Sequence, residues 1–404
     1  MTGNNTEKQG QSILLLSPFF YPEIISTGKY NTTLANVLKE YGHDVSVITF
    51  HPLYPDWRPK ITDAKLDGIE IIRGGGSLPY PGSIIFRRIQ LELLFLAHTV
   101  KNIFQRKPLD IVIPIFPPSL FYFIISKLMP RSVYQVGIVH DLLGVMANVS
   151  SSRFKKIMLG IIRFFEGKSL RSCDHLIFVS NSMSLRAASD YGLEKDRMSV
   201  AYPFVNLNKD ILTDKLADMF QENKKHVVYS GALGEKQNPD GLIEFFKHVT
   251  ESREDIICHI FSGGPIFERF KTEYKRYKKI QFHDLVPESN LYELYIRSDI
   301  QIIPQKSGTS DGAIPSKLPN IICAGTPVFF IGDPGSDLWD LVQESQIGYC
   351  SDSWDVSELA DKLNIFLDEV FLSDNYARSK KVSDFIMKNF NIDNLVYTIL
   401  QIKK

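Results

Sequence analysis

Two lysines carry the sharpest chemical signal in the chain. Lys236 follows an apolar run at 226–230 and sits in a turn with Gly231, Gly234 and Gln237, before Asn238 and Pro239 open a helix. Lys317 follows a second apolar run, 299–304, and a small polar loop that holds Ser307, Thr309, Ser310 and Asp311. Pro315 is a good first helical residue there, with Ser316 and Lys317 next in line. Glycines let a ligand approach the backbone, lysines supply point charges, and helix amino ends are positive. Two such turns at the carboxyl ends of strands in one parallel sheet suit a diphosphate and would neutralise it as a leaving group. An ordinary strand-to-helix turn uses the same residue types, so each segment alone stays open to that reading. The Walker phosphate loop is absent from the chain, and the first strand is not followed by the glycine triad of nicotinamide enzymes. A weaker turn of the same kind lies at 262–265 and includes Gly264.

His140 and Asp141 close another apolar run, at 134–139. A histidine at a strand's carboxyl end can donate to, or take a proton from, a bound hydroxyl. A hydrogen-bonded structural histidine would occupy the same place.

These side chains need elements to hold them, and the pattern supplies a βα series twice. Residues 13–16 read as a buried strand, 17–27 as a loop rich in proline and aromatics, and Gly28 and Lys29 as the start of a helix to about residue 40. Strands and helices then alternate to about residue 201, charge rises through 206–224, and the alternation restarts at 226. That pattern predicts an α/β chain of two doubly wound parallel sheets.

With 404 residues the chain has room for two or three domains. Its composition, 44% hydrophobic and 23% charged, is that of a globular protein, and its zero net charge points away from a nucleic-acid partner. The four cysteines, Cys173, Cys258, Cys323 and Cys350, are far apart and form no metal-ligand spacing, which fits free thiols in a reducing cytoplasm. The first ten residues are polar and lack a leader pattern. The longest apolar run, 111–126, is broken by Pro114, Pro117 and Pro118, so no membrane-spanning helix is expected. Two stretches, 86–96 and 153–165, mix Arg87, Arg88, Lys155 and Lys156 with large apolar residues. Such helices can lie on an anionic leaflet, or simply pack an apolar face on a sheet.

In this order the pieces resemble the family-4 retaining glycosyltransferases of the GT-B fold, most of all bacterial enzymes of colanic-acid, O-antigen and capsule synthesis. The resemblance rests on 17–23, 27–30, 41–49, 54–57, His140 to Leu142, Gly231 to Gln237, and Pro315 to Val328, and so spans nearly the whole chain. It implies an acceptor domain at 1–205, a linker at 206–224, a nucleotide-sugar domain at 225–385, and a final helix, 386–404, returning to the first domain. It also implies a UDP- or GDP-linked sugar donor, a polyprenyl-diphosphate-linked saccharide acceptor, and a cytoplasmic protein attached peripherally to the inner membrane. No metal or other cofactor is implied.

The same resemblance assigns roles. Lys236 and Lys317 would stabilise the leaving diphosphate, with Gly231, Gly234, Gln237, Gly264, Thr309, Ser310, Asp311 and Ser316 around the donor. Gly28 and Lys29 would approach the same diphosphate, and Val286 and Pro287 the base. His140, with Asp141, would lie beside the transferred sugar. The common family pattern has two glutamates eight positions apart before its Gly-Thr-Pro; here those places hold Gly312 and Asn320. Asp311 is adjacent to the first, and Asn320 can still hydrogen-bond a ribose hydroxyl. A sugar-nucleotide epimerase and an inert nucleotide-binding subunit of the same fold are the alternatives.

Overall fold

The computed structural model describes residues 10–54, 56–76, 78–104, 108–118, 120–142, 153–209, 212–309, 314–346, 348–372 and 375–401, without the side chains of 84, 85, 153–159, 370–372 and 375–379. The chain divides into two units: residues 1–202 with 392–404, and residues 203–391.

Unit 1 opens with β1 (Ser12–Leu16), α1 (Ser26–Glu40), β2 (Asp44–Phe50) and β3 (Ile69–Gly74). It continues through α2 (Ile84–Ile103), β4 (Ile111–Phe116), α3 (Tyr122–Leu128), β5 (Tyr134–Val139), α4 (Arg153–Arg171), β6 (His175–Phe178), α5 (Asn181–Tyr191) and β7 (Met198–Val200). Its sheet runs β3-β2-β1-β4-β5-β6-β7, all parallel. The central strands are buried along their length because helices cover both faces, which is why they read as unbroken apolar runs. The winding reverses between β1 and β4, so the loops leaving those strands meet at one edge.

Unit 2 repeats the plan with β8 (Lys225–Ser230), α6 (Pro239–Ser252), β9 (Ile256–Phe261), α7 (Pro265–Glu273), β10 (Ile280–His283) and α8 (Leu291–Arg297). There follow β11 (Ile300–Pro304), α9 (Leu318–Cys323), β12 (Val328–Ile331), α10 (Asp337–Ser345), β13 (Gly348–Ser351), α11 (Val356–Leu372) and α12 (Asn375–Asn389). Its sheet is β10-β9-β8-β11-β12-β13, again parallel, and reverses between β8 and β11. Phe245, Phe246, Phe267, Phe270 and Phe329 fill its core. The last helix, α13 (Ile392–Gln401), belongs to unit 1, where it packs on α1 and where Tyr41 donates to Asp393 at 2.9 Å.

Three local differences from the sequence reading matter. The described residues 206–209 and 212–224, expected as a linker, cluster with unit 2. Glu293, fully buried, accepts from the Thr213 hydroxyl and from the backbone N–H groups of Lys215 and Leu216. Helix α1 starts two residues before Gly28, at Ser26. Helix α9 starts at Leu318, so Pro315 and Ser316 lie in a turn ahead of it and Lys317 is its N-cap.

Candidate functional site

In unit 2 a cavity of about 340 Å³ lies where β8, β9 and β11 end. Tyr229, Ser230, Gly231 and Ala232 line it from β8 and its exit, Phe261 from β9, and Ile303, Pro304 and Gln305 from β11. Leu285 and Val286 after β10, with Leu291, Leu294 and Tyr295 of α8, give it an apolar part. Gln237 and the turn of Pro315, Ser316 and Lys317 complete the lining. Such a mixture of apolar wall and a few convergent polar groups, at a reversal of winding, is what a nucleotide-sized ligand needs.

Lys317 is the only charged side chain among the described lining residues. Its Nζ donates to the Ser230 carbonyl at 2.8 Å and stands 4.6 Å from the centre of the Tyr229 ring. Burial away from water lowers its pKa to about 7. No carboxylate pairs with it among the described residues. Gly231 has φ +136° and leaves the space beside this ammonium open.

The expected donor residues divide. Gly231, Gln237, Val286, Ser316 and Lys317 line the cavity. Gly234 does not line it; its N–H donates to Gln237 Oε1 at 3.0 Å. Lys236 is exposed and does not line the cavity; its carbonyl accepts from Lys306 N–H at 2.7 Å. Gly264, with φ +96°, is the N-cap of α7, and Pro287 leads the turn into α8; neither lines the cavity. Thr309 turns its hydroxyl back to the Lys306 carbonyl at 2.6 Å. Asn320 Oδ1 accepts the backbone N–H of Asn206 at 2.8 Å instead of facing the cavity. Ser310 and Asp311 lie outside the described residues. Sequence reasoning missed Tyr229, Phe261, Tyr295 and Gln305. The first two are the penultimate and last residues of strands already recognised as leading to the site, which was the signal available.

In unit 1, His140 follows β5, its N–H donating to the Phe116 carbonyl at 2.8 Å. Its ring meets the Tyr30 ring edge-on at 4.7 Å between centres. Its Nε2 is buried and has no hydrogen-bond partner among the described residues. Burial lowers its pKa to about 4, so the imidazole is neutral near pH 7. A neutral ring with an unused nitrogen can donate to or accept from a hydroxyl. Asp141 is exposed and accepts the Leu142 N–H at 2.9 Å. Gly28 is buried in the first turn of α1, where an added Cβ would come within 3.0 Å of the Glu23 carbonyl oxygen. Glu23, the last residue of the 17–23 stretch, is buried and accepts the N–H groups of Leu53 and Tyr54 at 2.7 and 3.4 Å. Lys29 is partly exposed.

The basic pairs expected to face a leaflet are partly spoken for. Arg87 lies over the Trp57 ring at 4.4 Å, and Arg88 pairs at 3.2 Å with the buried Glu92. The side chains of Lys155 and Lys156 lie outside the description. What α2 does expose is an apolar stripe, Phe86, Ile89 and Leu93. No described helix is long and apolar enough to cross a membrane, and no group of three or more potential ligands among the described residues is placed to hold a metal ion.

Comparison with known proteins follows the two units. Residues 27–209 match the profile of Glycosyltransferase Family 4, and 213–381 that of Glycosyl transferases group 1. A protein of Escherichia coli (strain K12) named as a colanic acid biosynthesis glycosyl transferase, WcaI, is 24% identical over 361 residues, covering 82% of this chain and 86% of its own. The crystal structure of WaaG, a glycosyltransferase involved in lipopolysaccharide biosynthesis, aligns with a TM-score of 0.65 at 14% identity, over 93% of this chain and 94% of that one. A structure titled as trehalose-6-phosphate from E. coli bound with UDP-2-fluoro glucose aligns at 0.71 and 11% identity, over 98% and 99%. With two doubly wound sheets and both profiles in sequence order, the chain belongs to the family-4 glycosyltransferases of the GT-B fold.

Proposed function

We propose that this transferase moves a sugar from a nucleoside diphosphate sugar, UDP- or GDP-linked, to a lipid-linked saccharide during cell-surface polysaccharide synthesis, with retention at the sugar carbon. The observation that carries the donor reading is the Lys317 ammonium, set in the unit 2 cavity with no carboxylate beside it among the described residues. A partly buried cation with no carboxylate beside it among the described residues is a site for an anion of the ligand. The apolar residues Val286, Leu291 and Leu294 suit a base, and Ser316 and Gln237 suit hydroxyls or phosphate oxygens.

In the transfer step the bond between sugar carbon and diphosphate oxygen breaks and negative charge grows on the diphosphate. Lys317 meets that charge, and its proton is held more firmly as the charge grows. The acceptor hydroxyl attacks the same face of the sugar, and its proton passes to the departing phosphate oxygen. His140, neutral and with a free nitrogen, orients a hydroxyl in unit 1 and carries no charge through the step. Lysine and backbone N–H groups supply the charge compensation in this scheme, so no metal is invoked.

The named roles of WcaI and WaaG support a cell-surface glycan as product, and the exposed Phe86, Ile89 and Leu93 support a protein that rests on the membrane bearing the acceptor. The test is release of nucleoside diphosphate from a panel of UDP- and GDP-sugars, with and without polyprenyl-diphosphate-linked saccharide, in chelator. Acceptor-dependent release with a retained anomer is expected. Epimerised sugar nucleotide without acceptor would make it an epimerase, and binding without turnover an inert subunit.

A further inference from the structure

We propose that Tyr229 is a positioning residue for the Lys317 ammonium, its ring and its hydroxyl together presetting the cation and the turn that an anionic ligand must meet. Tyr229 is the penultimate residue of β8 and is almost fully buried. Its ring centre lies 4.6 Å from Lys317 Nζ, within the range of a cation–π contact. Its hydroxyl donates to the Ala232 carbonyl at 2.6 Å, which ties down the glycine turn that follows the strand. The next residue, Ser230, gives its carbonyl to the same Nζ at 2.8 Å. The one after, Gly231, would bring a Cβ to 3.8 Å from it. Three consecutive residues thus meet the ammonium as a ring, a carbonyl and an open space.

The physical need is clear from the lysine itself. A four-carbon stem has many rotamers, and an ammonium taken from water loses hydration. Burial here lowers the Lys317 pKa to about 7, so anything that favours the charged form decides how much of it is ready at neutral pH. The ring face favours the cation, and the Ser230 carbonyl fixes its direction, while the other two N–H donors meet no partner among the described residues. The other titratable side chains among the described lining residues are Tyr229 itself and Tyr295, whose phenols burial keeps protonated, and no carboxylate is among them. Nearby Lys236 is exposed. The aromatic face therefore joins the Ser230 carbonyl in opposing desolvation.

This inference rests on the donor reading above for the identity of the anion, and not for the contact. Two measurements separate them. The first follows Lys317 by NMR in the free full-length protein carrying ¹³Cε-lysine, assigned with Lys317→Met. Tyr229→Phe keeps the ring and should keep the titration midpoint. Tyr229→Leu should lower it by about half a pH unit or more, the equivalent of a roughly threefold change in proton affinity. Fluorinated phenylalanines placed at 229 keep the shape and weaken the ring's negative face, so they test the same point if the leucine variant fails to fold; each added fluorine should lower the midpoint further. Midpoints that ignore both leucine and fluorine overturn the proposal.

The second is calorimetric titration with UDP and GDP at pH 6 and pH 8. The leucine variant should lose about three- to tenfold more affinity at pH 8 than at pH 6, and the phenylalanine variant should show no such difference. An equal loss at both pH values assigns Tyr229 to packing alone and overturns the proposal. A shifted midpoint in a protein that binds neither nucleotide leaves the positioning role standing and removes the donor reading.

Discussion

The Asn320 side-chain oxygen holds the backbone N–H of Asn206 at 2.8 Å, a bond between helix α9 and the first residues of unit 2 across 114 positions of sequence. That bond uses the group expected to reach a ribose. Asn320→Leu should leave the amide of Asn206 unpaired and cost about 1–3 kcal/mol in urea unfolding. Asn320→Asp keeps an acceptor and should be close to wild type. Nucleoside diphosphate affinity should change little in either. A collapse of affinity at unchanged stability would instead put Asn320 on the ligand.

Lys317→Met removes the unpaired ammonium and keeps much of the stem. UDP or GDP affinity should fall by about 1–3 kcal/mol, read by calorimetry. Stability should move the other way. The folded-state pKa of Lys317 is lowered from 10.5 to about 7, so between those values the unfolded chain binds the extra proton and stability rises with pH. Below about pH 7 the folded protein carries the full burden of the buried charge, and methionine relieves it. The variant should melt at or above the wild-type temperature at pH 6. A lower melting temperature with unchanged affinity would make Lys317 a structural cation.

Wild-type affinity for the nucleotide should itself fall as pH rises from 7 to 9, because the ammonium is lost while the ligand stays anionic. Near pH 7.5 binding should take up protons, visible as a heat that varies with the ionisation enthalpy of the buffer. A buffer-independent heat would place the titration elsewhere.

His140→Ala should lower turnover by about 100-fold with a smaller effect on donor affinity, as expected for a contact made chiefly in the transition state. Since its pKa is about 4, the rate of the wild type should show no limb near pH 6.5 that disappears in this variant. Wild-type turnover would make His140 a packing partner of Tyr30.

Across β8, β9 and β10 run three histidines in one hydrogen-bonded line. The Gln221 carbonyl can only accept, so His226 Nε2 bears hydrogen at 3.0 Å; His226 Nδ1 lies 2.8 Å from His259 Nε2, and His259 Nδ1 lies 3.0 Å from His283 Nε2. Burial lowers the pKa of His259 to about 2. The unfolded chain binds this proton below pH 6.5 and the folded one does not, so stability falls on acidification by up to about 1.4 kcal/mol per pH unit for the group. His259→Gln offers a donor and an acceptor without the charge. Between pH 6.5 and 5 its stability should fall less steeply than wild type by about that amount, and parallel slopes would reject the assignment.

The sequence by itself determined the two doubly wound sheets, because strands buried on both faces must be apolar throughout and their spacing leaves room for crossover helices. It also marked the turns at Gly231 and Lys317, since glycine, proline and lysine have local roles that spacing reveals. It did not reveal that Arg88 is taken up by Glu92, although the two stand one helical turn apart, because charge on a helix looks the same whether it faces solvent or a buried partner. Tertiary structure alone decided that Lys317 meets Tyr229, that Asn320 meets Asn206, and that three histidines align. Those contacts join residues far apart in the chain. They depend on which strands lie side by side, in what register, and toward which face each side chain points, and none of these is a property of a short stretch of sequence.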